Sequence, residues 1–219
     1  MAVYFGFLNC GFRLPATAGS DLTAVSTSLW AGYNRFYTRL DGPFDFHKWK
    51  AAVKAGKTFV TNRPLLFVTV DGQDPGAEFR LSSANKRSLA VEIEVFSPTP
   101  VTKVEIIAQG EVFQELPVPT GEHIRAKATV DLPSSAWFVV RCLGSSSDRN
   151  IGPKLTFAQT SPFYVVIDGE PIRSPDDAKF FRQVLTQRLQ SDLELIQDPD
   201  VAEDLKVLCE QALAKYEVE

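Results

Sequence analysis

The alternation of hydrophobic and polar residues changes rhythm twice along the chain, near position 65 and again near position 171. Before the first change the pattern is broken into short pieces. Val3, Phe5, Phe7 and Leu8 predict the last turns of an amphipathic helix over 2–10, with Gly11 as its left-handed stop. A short extended segment over 14–18 follows, then a turn at Gly19 and Ser20 that presents the carboxylate of Asp21. Residues 35–40 read as a strand ended by Asp41-Gly42-Pro43. A helix over 46–55 is capped by Asp45, turns Trp49, Ala52 and Val53 to one side and stops at Gly56. Thr58-Phe59-Val60-Thr61 is a further strand, closed by Asn62-Arg63-Pro64.

From Leu65 the chain becomes a series of short alternating strands, about one every ten residues, which is the pattern of a β-sandwich. Strands are predicted over 65–70, 89–95, 101–108, 111–116, 123–132, 136–143 and 157–167, with a polar loop over 145–152. In 89–95 the apolar set Leu89, Val91, Ile93 and Val95 faces a core while Glu92 and Glu94 face water. In 123–132 Ile124, Ala126, Ala128 and Val130 point inward. Nearly all aromatic residues of this region are expected inside or at turns. After 171 the period becomes helical. Ser174-Pro175-Asp176-Asp177 opens one helix, with Phe180, Phe181, Val184, Leu185 and Leu189 as its stripe. Asp198-Pro199 opens a second, with Val201, Leu205, Leu208, Ala212 and Tyr216. The resulting class is α+β and mostly β, ending in a helical hairpin.

Composition narrows the possible functions. With 219 residues, 44% of them hydrophobic and 11% aromatic, the chain can build sizeable cores. A net charge of -4 without a basic cluster argues against a nucleic-acid partner, and no apolar run is long enough to span a bilayer. The start lacks the basic and long apolar regions of a signal peptide, so the chain as written is not expected to be exported; its compartment stays open. Cys10, Cys142 and Cys209 are too far apart for a metal knuckle and odd in number, and read as buried small apolar residues. Only His47 and His123 occur, both expected in structural or solvated positions. Two histidines exclude a self-contained centre of several imidazoles.

Strand, glycine turn and acid is how a barrel strand delivers a ligand, which makes Asp21 the leading candidate for chemistry. The alternative is that Asp21 lies in an ordinary turn or caps a helix beginning near Leu22. Four stretches carry a resemblance: Leu-Asn-Cys-Gly-Phe-Arg-Leu-Pro-Ala-Thr-Ala-Gly-Ser-Asp (8–21), Gly-Tyr-Asn-Arg-Phe-Tyr (32–37), Lys-Ala-Gly-Lys-Thr-Phe-Val-Thr-Asn-Arg-Pro-Leu-Leu (54–66) and Val-Asp-Gly-Gln-Asp-Pro-Gly (70–76). Together they resemble the CehA/McbA family of PHP-type metallohydrolases. The resemblance implies a barrel remnant over 1–64, an immunoglobulin-like β-sandwich over 65–170 and a C-terminal helical hairpin over 171–219. In the intact family divalent ions, zinc, manganese or iron, activate water for ester or phosphoester cleavage.

The departures bear on activity. The family's early His-x-His pair has no counterpart here, Leu22 and Thr23 stand where a histidine often follows, and Arg63 replaces the glycine common before the proline. Asp21 matches a metal ligand, and Asn34, Arg35 and Asn62 are candidate substrate-binding residues. Arg35 would orient an anionic substrate, or else form a strand-edge salt bridge. One carboxylate cannot hold a hydrolytic metal, so the chain alone is expected to bind none. Residues 1–64 cannot close a barrel, so a partner is expected, either a chain supplying the missing barrel or a second copy. The competing reading is a non-enzymatic binding module built on the sandwich, which exposed aromatics on one sheet face would favour; a remnant without function is the third.

Overall fold

The computed structural model describes residues 2–20, 32–85, 87–145 and 155–216. Among the described residues the α+β architecture is mostly strand, with an open mixed sheet and four α-helices. Two compact units emerge, Arg13–Glu170 and a unit joining Met1–Phe12 to Pro171–Glu219. Compactness therefore groups the chain differently from the three-part division by sequence: position 64/65 falls inside one unit.

The larger unit holds β1 (Arg35–Thr38), α2 (Phe46–Lys54), β2 (Thr58–Thr61), β3 (Leu65–Val70), β4 (Glu78–Leu81), β5 (Leu89–Ala108), β6 (Glu111–Leu116), β7 (Gly121–Val130), β8 (Ala136–Ser145), β9 (Leu155–Thr160) and β10 (Phe163–Ile167). Every pairing is antiparallel except β10 with β4. β5 organises the sheet. Its first half pairs with β3 and β7, its second half with β6 and β8, and the register shifts between Phe96 and Val101. Pro98 and Pro100 lack the amide a ladder needs, which is why two strands are expected from the sequence. The backbone nevertheless stays extended through them, and the two expected strands are one of 20 residues.

The opposite correction applies to 157–167, where one strand was expected and two are found, separated by Ser161-Pro162. Ser161 leaves the ladder to bond elsewhere: its hydroxyl lies 2.6 Å from that of Thr58 and accepts from the Ala16 amide at 2.8 Å. The segment 14–18 accordingly joins no ladder and is pinned by side chains instead. β4 has no counterpart in the sequence reading, because four residues with a single buried side chain, Phe79, carry no legible period. The polar loop expected over 145–152 lies, beyond Ser145, outside the described residues.

Alternation does place the core. Leu89, Val91, Ile93 and Val95 of β5 are buried with Leu66, Val68 and Val70 of β3, and join Phe138, Val140 and Phe163 in one cluster. β8 is apolar on both sides, with Trp137 and Val139 as inaccessible as Phe138 and Val140.

The smaller unit holds α1 (Ala2–Asn9), α3 (Pro175–Leu193) and α4 (Pro199–Ala214). Gly11 ends α1 at φ +86°, as expected. Ser174 and Asp198 cap α3 and α4 through their side-chain oxygens, and a proline follows each cap. Phe7 stacks on Phe181 at 4.5 Å and Phe181 on Tyr216 at 5.6 Å. The predicted stripes need correction: Val3, Phe180, Val184, Val201 and Leu208 are exposed, while Phe5, Leu8, Phe181 and Tyr216 are buried. Neighbouring apolar positions at helical spacing leave the phase of the stripe open by one residue, and packing around Phe181 decides it. No described helix is long and apolar enough to cross a membrane.

Candidate functional site

Asp21 lies outside the described residues, as do 22–31. The other three candidates fall together near the start of β1 and the end of β2, whose register sets Arg35 opposite Thr61. Arg35 donates from Nη1 to the carbonyls of Gly32 at 2.9 Å and Asn62 at 3.5 Å, and from Nε to the Tyr37 hydroxyl at 3.1 Å. Among the described residues its acceptors are carbonyls and a hydroxyl, with no carboxylate in salt-bridge range. Asn62 is a cross-brace: its Nδ2 donates to Leu155 O at 2.8 Å and Tyr33 Oη at 3.2 Å, and its Oδ1 accepts from the Phe157 amide at 2.8 Å. The Asn34 carbonyl accepts from the Ser20 hydroxyl at 3.2 Å. Arg63 is buried with its guanidinium 6.0 Å from the centre of the Tyr33 ring.

Next to this cluster runs a row of rings that the sequence reading missed. Tyr37 stacks on Phe59 at 5.2 Å, Phe59 meets Phe67 at 6.0 Å, Phe67 meets Phe96 at 6.2 Å, and Phe96 stacks on His123 at 4.3 Å. The row crosses β1, β2, β3, β5 and β7 in turn. Four of its five members are open to solvent, Tyr37 at 41%, Phe67 at 49%, Phe96 at 40% and the exposed His123. The expectation that nearly all aromatics lie inward therefore fails on this face. Pairing explains it: Phe96 continues the outward parity of Glu92 and Glu94, and its register partners put Leu65 on one side and His123 on the other.

Charges flank the rings. Glu94 accepts from His123 Nε2 at 2.9 Å and Arg125 Nε at 2.7 Å, and those two bonds hold its carboxyl below the usual carboxylate range. Lys127 reaches Glu92 at 2.6 Å, and Asp74 receives Arg39 at 2.8 Å and Lys57 at 3.5 Å. Between these groups runs an open groove of about 1040 Å3. A smaller hollow of about 470 Å3 adjoins it at Tyr37 and Leu65 and is bordered by Arg35, Arg63, Glu122 and His123. The arrangement can grip a ligand by stacking and by charge.

Of the cysteines, Cys142 and Cys10 are held as unreactive thiols by burial. Burial pushes the Cys142 thiol up to about 12, and burial with the Asp177 charge raises that of Cys10. A timed reaction of the native chain with iodoacetamide, read by peptide mass spectrometry, should modify the half-buried Cys209 first and leave Cys142 untouched until unfolding. Equal rates at the two sites would contradict this burial. His47 is exposed on α2 against Phe46.

Among the described residues no three His, Cys, Asp or Glu side chains are grouped to hold a metal ion. Those residues do not by themselves fit a hydrolytic metal centre. Searches against protein-family models, curated proteins and solved structures found no match for the chain.

Proposed function

We propose that the chain is the C-terminal portion of a PHP-type metal-dependent hydrolase and does not cleave substrate unaided. The observation that carries this reading is the way the separated motif stretches meet in space. Thr58 of the third stretch donates to the Ala16 carbonyl of the first at 2.8 Å. Asn62 of the third reaches Tyr33 of the second at 3.2 Å. Gly56 of the third packs on Gly76 of the fourth so closely that a Cβ built on Gly76 would lie 1.9 Å from the Ala55 carbonyl oxygen.

On this reading β1, α2 and β2 are what remains of the barrel, the two lobes of sheet sharing β5 are the layers of an immunoglobulin-like sandwich, and α3 with α4 is the terminal hairpin. Asp21 would contribute one ligand to zinc, manganese or iron in a site completed by a partner chain or a second copy, with Asn34, Arg35 and Asn62 at its rim. Arg35, whose acceptors among the described residues are all neutral, suits an anionic ester or phosphoester. Elemental analysis of the purified chain should find no stoichiometric metal, and esterase and phosphoesterase assays no turnover. Stoichiometric zinc, manganese or iron accompanied by turnover would overturn the claim that the chain is inactive alone. An in-frame His-x-His segment encoded immediately upstream would support its origin.

A second reading is favoured by a separate observation, the solvent-exposed aromatic row. It makes the groove beside β3 a ligand-binding face that needs no metal. The two readings are compatible, since a hydrolase can hold its substrate or partner through such a module.

A further inference from the structure

β3 is an edge strand, and it is unlike the other edges. Among the described strands β1, β3, β4, β6 and β7 each pair with a single neighbour and so leave one side of the ladder open. Four of these carry the charges that discourage another strand from adding: Arg35 in β1, Glu78 and Arg80 in β4, Glu111 and Glu115 in β6, Arg125 and Lys127 in β7. β3, Leu-Leu-Phe-Val-Thr-Val, has no charge and no proline within it. It is also the edge that runs along the groove.

The lining of the groove says which part of β3 it follows. Five consecutive residues, Leu65 to Thr69, border it, although their side chains alternate between core and solvent. Val70 exchanges both its backbone bonds with Gln73 while Asp71 donates to Ala90 of β5, so by the two-residue period the amides and carbonyls of Leu66 and Val68 also point away from β5, and these two residues, whose side chains are buried, meet the groove through their backbone. Short of the Val70–Gln73 bridge, the groove therefore meets the outward amides and carbonyls of Leu66 and Val68 on one wall and the rings of Tyr37 and Phe59 on the other, with Phe67 at the lip.

We infer that this groove takes an extended acidic peptide segment, which adds to β3 as a further strand. The inference rests on the second reading, that the groove is a ligand face, and names its ligand and mode. Backbone pairing along β3 would supply affinity with little regard to sequence, and alternate side chains of the guest would stack on Phe67 or meet Tyr37 and Phe59. Charge selects the guest. The groove is bordered by four cations, Arg39, Lys57, Arg125 and Lys127, against three carboxylates, Asp74, Glu92 and Glu94. That local excess of positive charge stands in a chain whose net charge is -4. An acidic guest complements it, and its binding weakens as salt screens the pairing.

The full chain is probed by fluorescence anisotropy with a peptide array in which Asp or Glu alternates with Val, Ile, Thr or Tyr, beside a matched basic array. The acidic peptides are expected to bind and the basic ones not. The best binder should lose at least tenfold in affinity when its alternate amides are N-methylated, and a similar factor against the exposed-site variant Phe67→Ala. Hydrogen exchange should then show new protection confined to β3. Binding that ignores N-methylation would overturn strand addition while leaving the ligand face in place. Binding of a soluble cello-oligosaccharide with no peptide bound would do the same, making the face a glycan site. A concentration-dependent dimer that protects β3 without any peptide would assign the edge to a second copy and overturn the proposal. If peptide, sugar and self-association are all absent, the ligand-face reading falls with it.

Discussion

Gly76→Ala is expected to destabilise the larger unit by about 4 kcal/mol or more, which is the range reserved for a small set of severe mechanisms. Two of them coincide here. Gly76 has φ +88°, where an L side chain costs roughly 1–2 kcal/mol by itself. Its Cβ would also sit 1.9 Å from the Ala55 carbonyl oxygen and 3.0 Å from Gly56 Cα, both backbone atoms that cannot rotate away. Relief would require moving the C-cap of α2 away from the 70–76 turn, while the Gly76 amide is itself held by Pro162 O at 2.9 Å. Gly72→Ala separates the two causes. Gly72 has φ +74° in the Asp71-Gly72 turn and open space where its Cβ would go, so only the conformational cost of about 1 kcal/mol remains. Urea unfolding of the two variants should place their midpoints far apart. If they coincide, the close backbone approach is not what that glycine is for.

The same residue marks how far the sequence could be read. Gly56 is legible as a helix stop and Gly76 as a turn, because local chemistry demands glycine at both. That they touch is a long-range fact that neither stretch carries alone. The strands of the core are legible for a similar local reason: Leu89, Val91, Ile93 and Val95 alternate with acids, and a half-buried strand is the one structure that uses such a period. The parity that sends Val95 inward also sends Phe96 outward, so one ring of the exposed row could be placed from alternation alone. The others could not. Phe67 and His123 become its neighbours through pairings of β3 and β7 with β5, and Tyr37 and Phe59 enter from β1 and β2 by a contact between strands that share no ladder. Register sets such sites and is not written in any one segment. Of the candidate residues, Asn34, Arg35 and Asn62 come together through the antiparallel pairing of β1 with β2, which no single segment announces. The bracing role of Asn62 needed β9 to be seen, since its partners Leu155 and Phe157 lie more than 90 residues away.

The second large effect belongs to a buried charge. Glu105 of β5 stands opposite Arg141 of β8, with its side chain only 2% exposed. Arg141 donates to Glu105 Oε2 from Nε at 2.9 Å and Nη2 at 2.6 Å, and Lys103 reaches Oε1 at 2.5 Å. Burial pushes the Glu105 carboxyl up, but the bonds from Lys103 and Arg141 outweigh it and hold the group below the usual carboxylate range. Arg141→Met should therefore cost about 3 kcal/mol at neutral pH, because it leaves a buried carboxylate with Lys103 alone. Glu105→Gln should cost less, about 1–2 kcal/mol, since the cations it strands still reach water. The double variant Glu105→Leu with Arg141→Met should come back to within about 1 kcal/mol of the parent, as buried ion pairs are replaceable by matched apolar volume.

The dependence on pH has a definite sign. Because the folded-state pKa of Glu105 is lowered, its contribution is fully present above the unfolded value near about 4.3 and is lost as pH falls through the folded one. The stability difference between the parent and Glu105→Gln should hold steady from neutrality to about pH 5 and shrink below it. Asp71 and Glu94 also have lowered pKa values, yet they are common to both proteins and cancel in the difference. A difference that grew on acidification would mean that Glu105 is protonated in the folded state. In that case Arg141 and Lys103 would be holding a neutral acid, and Arg141→Met would cost no more than Glu105→Gln.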